Sequence, residues 1–186
     1  MCIRDRTETV EQRKIVVAIA GGIAAFKSAA LVSQLAQAGH DVCVVMSPAA
    51  EKFIGSATLA ALSGKPVVKD LFDPSYPLGS HIEIARHYDV LCIAPATAHF
   101  LAAAAQGHSD DLLSTLYLCF TGPVLVAPAM NTEMWNHPAV GRNVDQLKSD
   151  GVTIIEPGTG WLSCRTKGAG RMAEPNEIAE AIEAAF

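Results

Sequence analysis

The chain has 186 residues, half of them apolar, and a formal net charge of −5. That length supports one sizeable core and leaves no room for a second catalytic domain, so a single domain is expected. The acidic balance, with no cluster of Lys or Arg, points away from nucleic acid and anionic membrane surfaces and toward a small-molecule ligand.

Residues 1–13 are polar and aperiodic and read as a disordered tail, leaving 14–186 as the domain. Charges stand where a secretory signal needs an apolar core, and the longest apolar runs, 15–20 and 90–96, are too short to span a bilayer. A cytoplasmic protein is expected. Residues 14–20 read as a strand, 23–38 as a helix closed by Gly39 and 41–46 as a second strand, which makes a βαβ unit. A helix over 49–62, a weak strand near 66–69, a short helix from His81 and a strand over 89–94 follow. Helices over 98–106 and 110–119, a strand at 124–127, a helix over 133–148, a strand over 152–155 and a helix over 175–185 complete the series. Between the last two lies a glycine-flanked loop, 158–170. Strands alternating with helices predict an α/β fold. The expected form is one doubly wound parallel sheet, flavodoxin-like or Rossmann-like, with helices on both faces.

Among the five cysteines, Cys43 and Cys92 lie in strand-like runs and Cys119 ends a helix; all three read as reduced core residues. No CxxC or Cys/His spacing suggests a metal. Cys2 falls in the tail, whereas Cys164 falls in the 158–170 loop, where a thiol is reachable and its chemistry can matter.

Ligands of open α/β sheets bind beyond the carboxyl ends of the strands, and three segments stand there, with others beside them. The turn AGGIAAFKS, 20–28, offers glycines and free helix amides to an anion, although the same glycines serve a tightly packed turn equally well. APATAHF, 94–100, follows the fourth strand, and GHSDDLL, 107–113, follows the next helix. PAMNTEMW, 128–135, follows the strand at 124, where Asn131 or Thr132 can cap a helix. His81, after the turn-rich stretch 73–80, is either a solvated cap or a base. Finally, LSCRTKGAGRMAEP spans 162–175.

In this order the segments resemble the flavin-containing cysteine decarboxylase family over most of 14–182. Pro128, Met130, Asn131, Met134 and Trp135 match its PxMNxxMW signature, and GAGRMAEP matches the tail of its flap. His99 departs from the usual Asn or Asp, and Arg165 from the usual Gly after the flap cysteine. The resemblance implies FMN as cofactor. Gly21, Gly22, Ile23, Ala24 and Ser47 would hold its phosphate, Thr97, Ala98, His99 and Phe100 would line its ring, and Ala129 would also touch it. His81 and Cys164 would be catalytic, with Asn131, Met134, Arg171, Met172 and Ala173 on the substrate.

The implied activity is that of a carboxy-lyase of coenzyme A biosynthesis, which turns 4′-phosphopantothenoyl-L-cysteine into 4′-phosphopantetheine and CO2. Three alternatives are a peptidyl-cysteine decarboxylase acting on a peptide C-terminus, a flavin prenyltransferase and a non-catalytic flavin-binding regulator. His81, Asn131 and Cys164 together favour catalysis, and GRMAEP favours the small substrate. The resemblance further implies a homotrimer or a dodecamer of trimers, with no nucleic acid or membrane partner. A separate protein is expected to supply the preceding ligase step, because the chain ends before a fused synthetase domain could begin.

Overall fold

The computed structural model describes residues 11–186. Most of the tail read over 1–13, including Cys2, lies outside the described residues. Arg13 already engages the fold: its carbonyl accepts from Asp41 N at 2.8 Å and its guanidinium lies over the Phe186 ring.

Continuous apolar runs, rather than alternating ones, build the strands because both faces of the sheet are covered. β1 (Lys14–Ile19), β2 (Asp41–Met46), β3 (Val90–Ala96), β4 (Val124–Pro128) and β5 (Thr153–Ile154) are all parallel, in the order β2-β1-β3-β4-β5. Successive residues of one strand feed opposite layers. Ile15, Val17 and Ile19 face α1 (Ala25–Gln37), α2 (Ser56–Ser63) and α8 (Pro175–Glu183). Val16 and Ala18 face the other layer, made of α3 (Ser80–His87), α4 (Ala98–Gln106), α5 (Leu112–Cys119) and α7 (Pro138–Ser149). The expected doubly wound α/β sheet with helices on both faces is thus present. Cys43 and Cys92 are buried as expected, while Cys119 is only half-buried.

Four elements differ from the sequence expectation, each for a local reason. The helix expected over 49–62 is a 3-10 turn at Ala50–Lys52, a break, and then α2, whose N-cap Gly55 is extended. The helix over 133–148 is split into α6 (Thr132–Trp135) and α7, because Pro138 opens α7 and holds His137 out of helical geometry at ψ 131°. The weak strand near 66–69 shrinks to one bridge, Val68 to Val45, beside a proline that lacks a donor. Lastly, the loop over 158–170 contains an antiparallel hairpin, β6 (Gly158–Trp161) and β7 (Lys167–Arg171). Its glycine-rich strands carry no β-propensity signal; docking holds them.

Candidate active site

The ends of β1, β2 and β3 meet where the strand order reverses, the place at which such sheets bind ligands. Ala20 N donates to Pro95 O at 3.2 Å, and Ser47 N donates to Ile19 O at 3.0 Å, so the three ends are drawn together. In the turn between β1 and α1, the amides of Gly21, Gly22, Ile23 and Ala24 find no acceptor among the described residues. Consecutive free N–H groups entering a helix form a receptor for an anion. Ser47 adds a buried hydroxyl whose oxygen accepts from Ala50 N at 3.2 Å, which leaves its proton free to donate. The two glycines divide the roles left open by the sequence. A Cβ on Gly21 would overlap Ala49, so packing requires that glycine; beside Gly22 the nearest atom is Thr97 Cγ2 at 4.0 Å, so that position stays open to a ligand.

Next to this turn lies a cleft of about 500 Å³, lined by Gly21, Ser47, Thr97, His99 and Phe100 among others. Thr97 caps α4 by accepting from Phe100 N at 3.2 Å, which aims the helix start at the cleft. Phe100 is buried edge-on against Tyr117, whereas His99 is exposed at the rim. Ala98 stands on the same helix and Ala129, whose N donates to Ala96 O at 3.0 Å, on the adjoining strand end; neither lines the cleft. Pro48, Asp110, Asp111 and Ser114 also line it; the DDLL segment was noted from sequence, but none of these four residues was given a site role. The signal for the last three was the DDLL segment: Asp111 accepts from Ser114 N at 2.8 Å in a capping box that seats α5 against the cleft. No cluster of three or more possible metal ligands occurs among the described residues.

A different contact, the docking of the hairpin on the PAMN segment, sets the element that carries Asn131 and Met134 beside the one that carries Cys164 and Arg171. Met130 N donates to Gly170 O at 2.9 Å, and Thr132 Oγ1 donates to Ala169 O at 2.9 Å. Glycine is required at both facing positions: a Cβ on Gly168 would overlap the Thr132 side chain, and one on Gly170, at φ 112°, would overlap Met130 O. Asn131 caps α6, its Oδ1 accepting from Met134 N at 2.9 Å, so its Nδ2 is the free donor; Met134 is exposed beside it. At the hairpin tip, Leu162 N donates to Thr166 O and Arg165 N to Leu162 O, both at 2.9 Å. Arg165 closes this turn in the left-handed region at φ 65°, which explains why glycine suits that position better. Cys164 is exposed at the tip with its sulfur 3.1 Å from Thr166 Oγ1.

The hairpin root is anchored differently. Met172 and Ala173 are buried in the core with α1 and α8, so only their backbone is available to a substrate. Arg171 pairs with Glu174 at 2.9 Å and remains partly exposed. Lys27 and the neighbouring Arg171 hold the Glu174 carboxyl below the usual carboxylate range, the hydrogen bond from Lys27 contributing most. Catalytic candidate His81 opens α3, outside the cleft lining, its ring against Gly79 and its Nδ1 buried without a hydrogen-bond partner among the described residues. His40 is buried, with Nε2 2.5 Å from Glu183. No helix among the described residues is long and apolar enough to cross a membrane.

The family model described as Flavoprotein matches residues 3–186. The coenzyme A biosynthesis bifunctional protein CoaBC of Mycobacterium tuberculosis is 45% identical over 166 residues, which are 89% of this chain and 40% of that protein. The chain thus spans about two-fifths of the length of the curated relatives it matches. Among solved structures, the FMN-dependent cysteine decarboxylase SpaF superposes with a TM-score of 0.82 at 32% identity, covering 95% of this chain and 96% of that one. A cysteine-to-serine mutant of PPC decarboxylase, complexed with pantothenoylaminoethenethiol, superposes with a TM-score of 0.82 at 30% identity, covering 94% and 98%.

Proposed function

The chain belongs to the flavoprotein family, and on that premise we propose that it is an FMN-dependent carboxy-lyase converting 4′-phosphopantothenoyl-L-cysteine into 4′-phosphopantetheine. The observation that carries this reading is the docking of the Cys164 hairpin on Met130 and Thr132, which sets a thiol and a free amide donor on neighbouring pieces of chain. The residues fit the cofactor: the free amides from Gly21 to Ala24 with the Ser47 hydroxyl suit its phosphate, and Thr97, His99 and Phe100 offer a wall for its ring. FMN, when bound, supplies the two-electron sink and source that decarboxylation of a cysteine requires.

The chain's own groups supply the rest. Asn131 Nδ2 donates to the substrate carboxylate and orients the bond to be broken. His81 takes the thiol proton, a task suited to imidazole near neutral pH. Cys164 returns a proton from the hairpin tip after CO2 has left. Because His81 does not line the cleft of its own chain, we read the assembly as a homotrimer, or a dodecamer of trimers, in which a neighbouring copy completes the site. Exposed Ile23 and Phe26, beside the anion-receptive turn, suit burial against that copy. The expected setting is the cytoplasm.

Incubating the purified chain with phosphopantothenoylcysteine and, separately, with a cysteine-ended peptide, with products read by mass, tests the reading. Loss of CO2 from the small substrate alone supports it. Turnover of the peptide alone moves the chain to the peptidyl-cysteine decarboxylases, and no turnover of either overturns catalysis.

A further inference from the structure

Lys27 lies in the first turn of α1, immediately after the free amides, and its side chain is only 8% exposed. A buried ammonium needs partners, and this one reaches across 145 residues of chain: Nζ donates to Met172 O at 2.9 Å and to Glu174 Oε1 at 2.9 Å. The same Glu174 oxygen lies 2.9 Å from the guanidinium of Arg171, the last residue of β7. Replacing such an ion pair by apolar side chains is often neutral for stability, so stability alone gives a weak reason to keep a lysine here.

Geometry gives a stronger reason. The bonds from Met130 to Gly170 and from Thr132 to Ala169 both come from one short segment, so they stop the hairpin from sliding and leave its angle to be set at the root, where Met172 and Ala173 are buried. The bonds from Lys27 to Met172 O and Glu174 add a polar tie from α1 to that packed root and fix its angle more closely. At about 3.3 Å per residue, the five residues from Ala169 to Cys164 span up to roughly 16 Å, so a swing of about 10° moves the sulfur by up to about 3 Å. A misplacement of about 1 Å at a reacting group can cost on the order of a hundredfold in rate.

We infer that Lys27 is a positioning residue for the reaction: by holding Met172 O and Glu174 it sets the angle of the hairpin and thereby the approach of Cys164 to the substrate. The inference rests on the decarboxylase reading for its functional consequence, while its structural half can be measured without substrate.

Hydrogen–deuterium exchange on the full chain with FMN would compare the parent with Lys27→Met and Lys27→Arg. In Lys27→Met, amides of β7 are expected to exchange about tenfold faster while those of β1 and β3 keep their rates, with Lys27→Arg recovering most of the protection. In a single turnover, Lys27→Met should release CO2 but leave a larger share of the oxidised, decarboxylated thiol, with its two electrons retained by the FMN. Unchanged β7 exchange overturns the inference, and so does faster exchange spread equally over β1 and β3, which would make Lys27 a general core residue. Should Lys27→Met not fold, Glu174→Gln decides: several-fold faster exchange confined to β7 supports the inference and no change overturns it. A parent that releases no CO2 from the cysteine substrate sinks the functional reading alone, because exchange in β7 still decides what Lys27 holds.

Discussion

Cys164 and Arg165 show how neighbouring residues can carry separate jobs. Cys164 is exposed at a turn apex, where a thiol can meet a substrate, whereas burial pushes the Cys92 thiol up to about 12 and leaves it inert. Cys164→Ser is expected to keep releasing CO2 but to stall before the final product, since a hydroxyl is a far weaker acid than a thiol. Mass spectrometry should find a product about 2 Da lighter than phosphopantetheine, the difference of one H2; normal product at the parent rate would assign the proton to another group. Arg165 is a conformational matter. Its φ of 65° costs a side-chain-bearing residue about 1 kcal/mol relative to glycine. Arg165→Gly should therefore raise stability in denaturant melts by up to about that amount, and a loss would show that the guanidinium makes a contact worth more than the strain. The departure from the family's usual glycine was legible in the sequence, but its left-handed backbone was not, because φ is set by the closure of the turn.

At the level of elements, the hairpin is held by what it lies against. Neither GTGW nor KGAGR has the β-branched alternation that announces a strand, so the stretch 158–170 read as a loop; its pairing follows from bonds to Met130 and Thr132, far away in sequence. The GAGR glycines, legible as a family tail, acquire a cause only in three dimensions: they let β7 close on the Thr132 side chain and the Met130 carbonyl. Gly168→Ala should push β7 off Thr132 and slow formation of reduced product by at least about tenfold while FMN stays bound. Stopped-flow absorbance with a flavin occupancy measurement checks this, and loss of flavin would mean that the hairpin also shapes the cofactor site.

Acid should loosen the same hairpin root. The Glu174 carboxyl titrates below its unfolded value because Lys27 hydrogen-bonds its charged form, so its contribution is complete above the ordinary carboxylate range and vanishes as pH falls through the depressed value. Thermal melts from pH 6 down to about pH 3 should fall more shallowly for Glu174→Gln than for the parent; parallel curves would show that the pair adds nothing.

The whole molecule is a parallel sheet between two helical layers, and its last helix closes one of them. Ile182 is fully buried there. Ile182→Ala should cost about 2–5 kcal/mol in chemical denaturation with little change in flavin affinity; a cost below about 1 kcal/mol would mean that α8 repacks. By itself the sequence determined the alternation of strands and helices, the parallel sheet and the strand-end positions of its motifs. Those follow from apolar runs, glycine and proline placement and capping residues, all read within a few positions of one another. Only the tertiary structure decided the strand order, the breaks at Gly55 and Pro138, the hairpin, the burial of Met172 and Ala173, and the reach of Lys27 to the hairpin root. Each of these depends on groups distant in sequence, whose close approach, hydrogen bonds and exclusion of water exist only once the chain has folded.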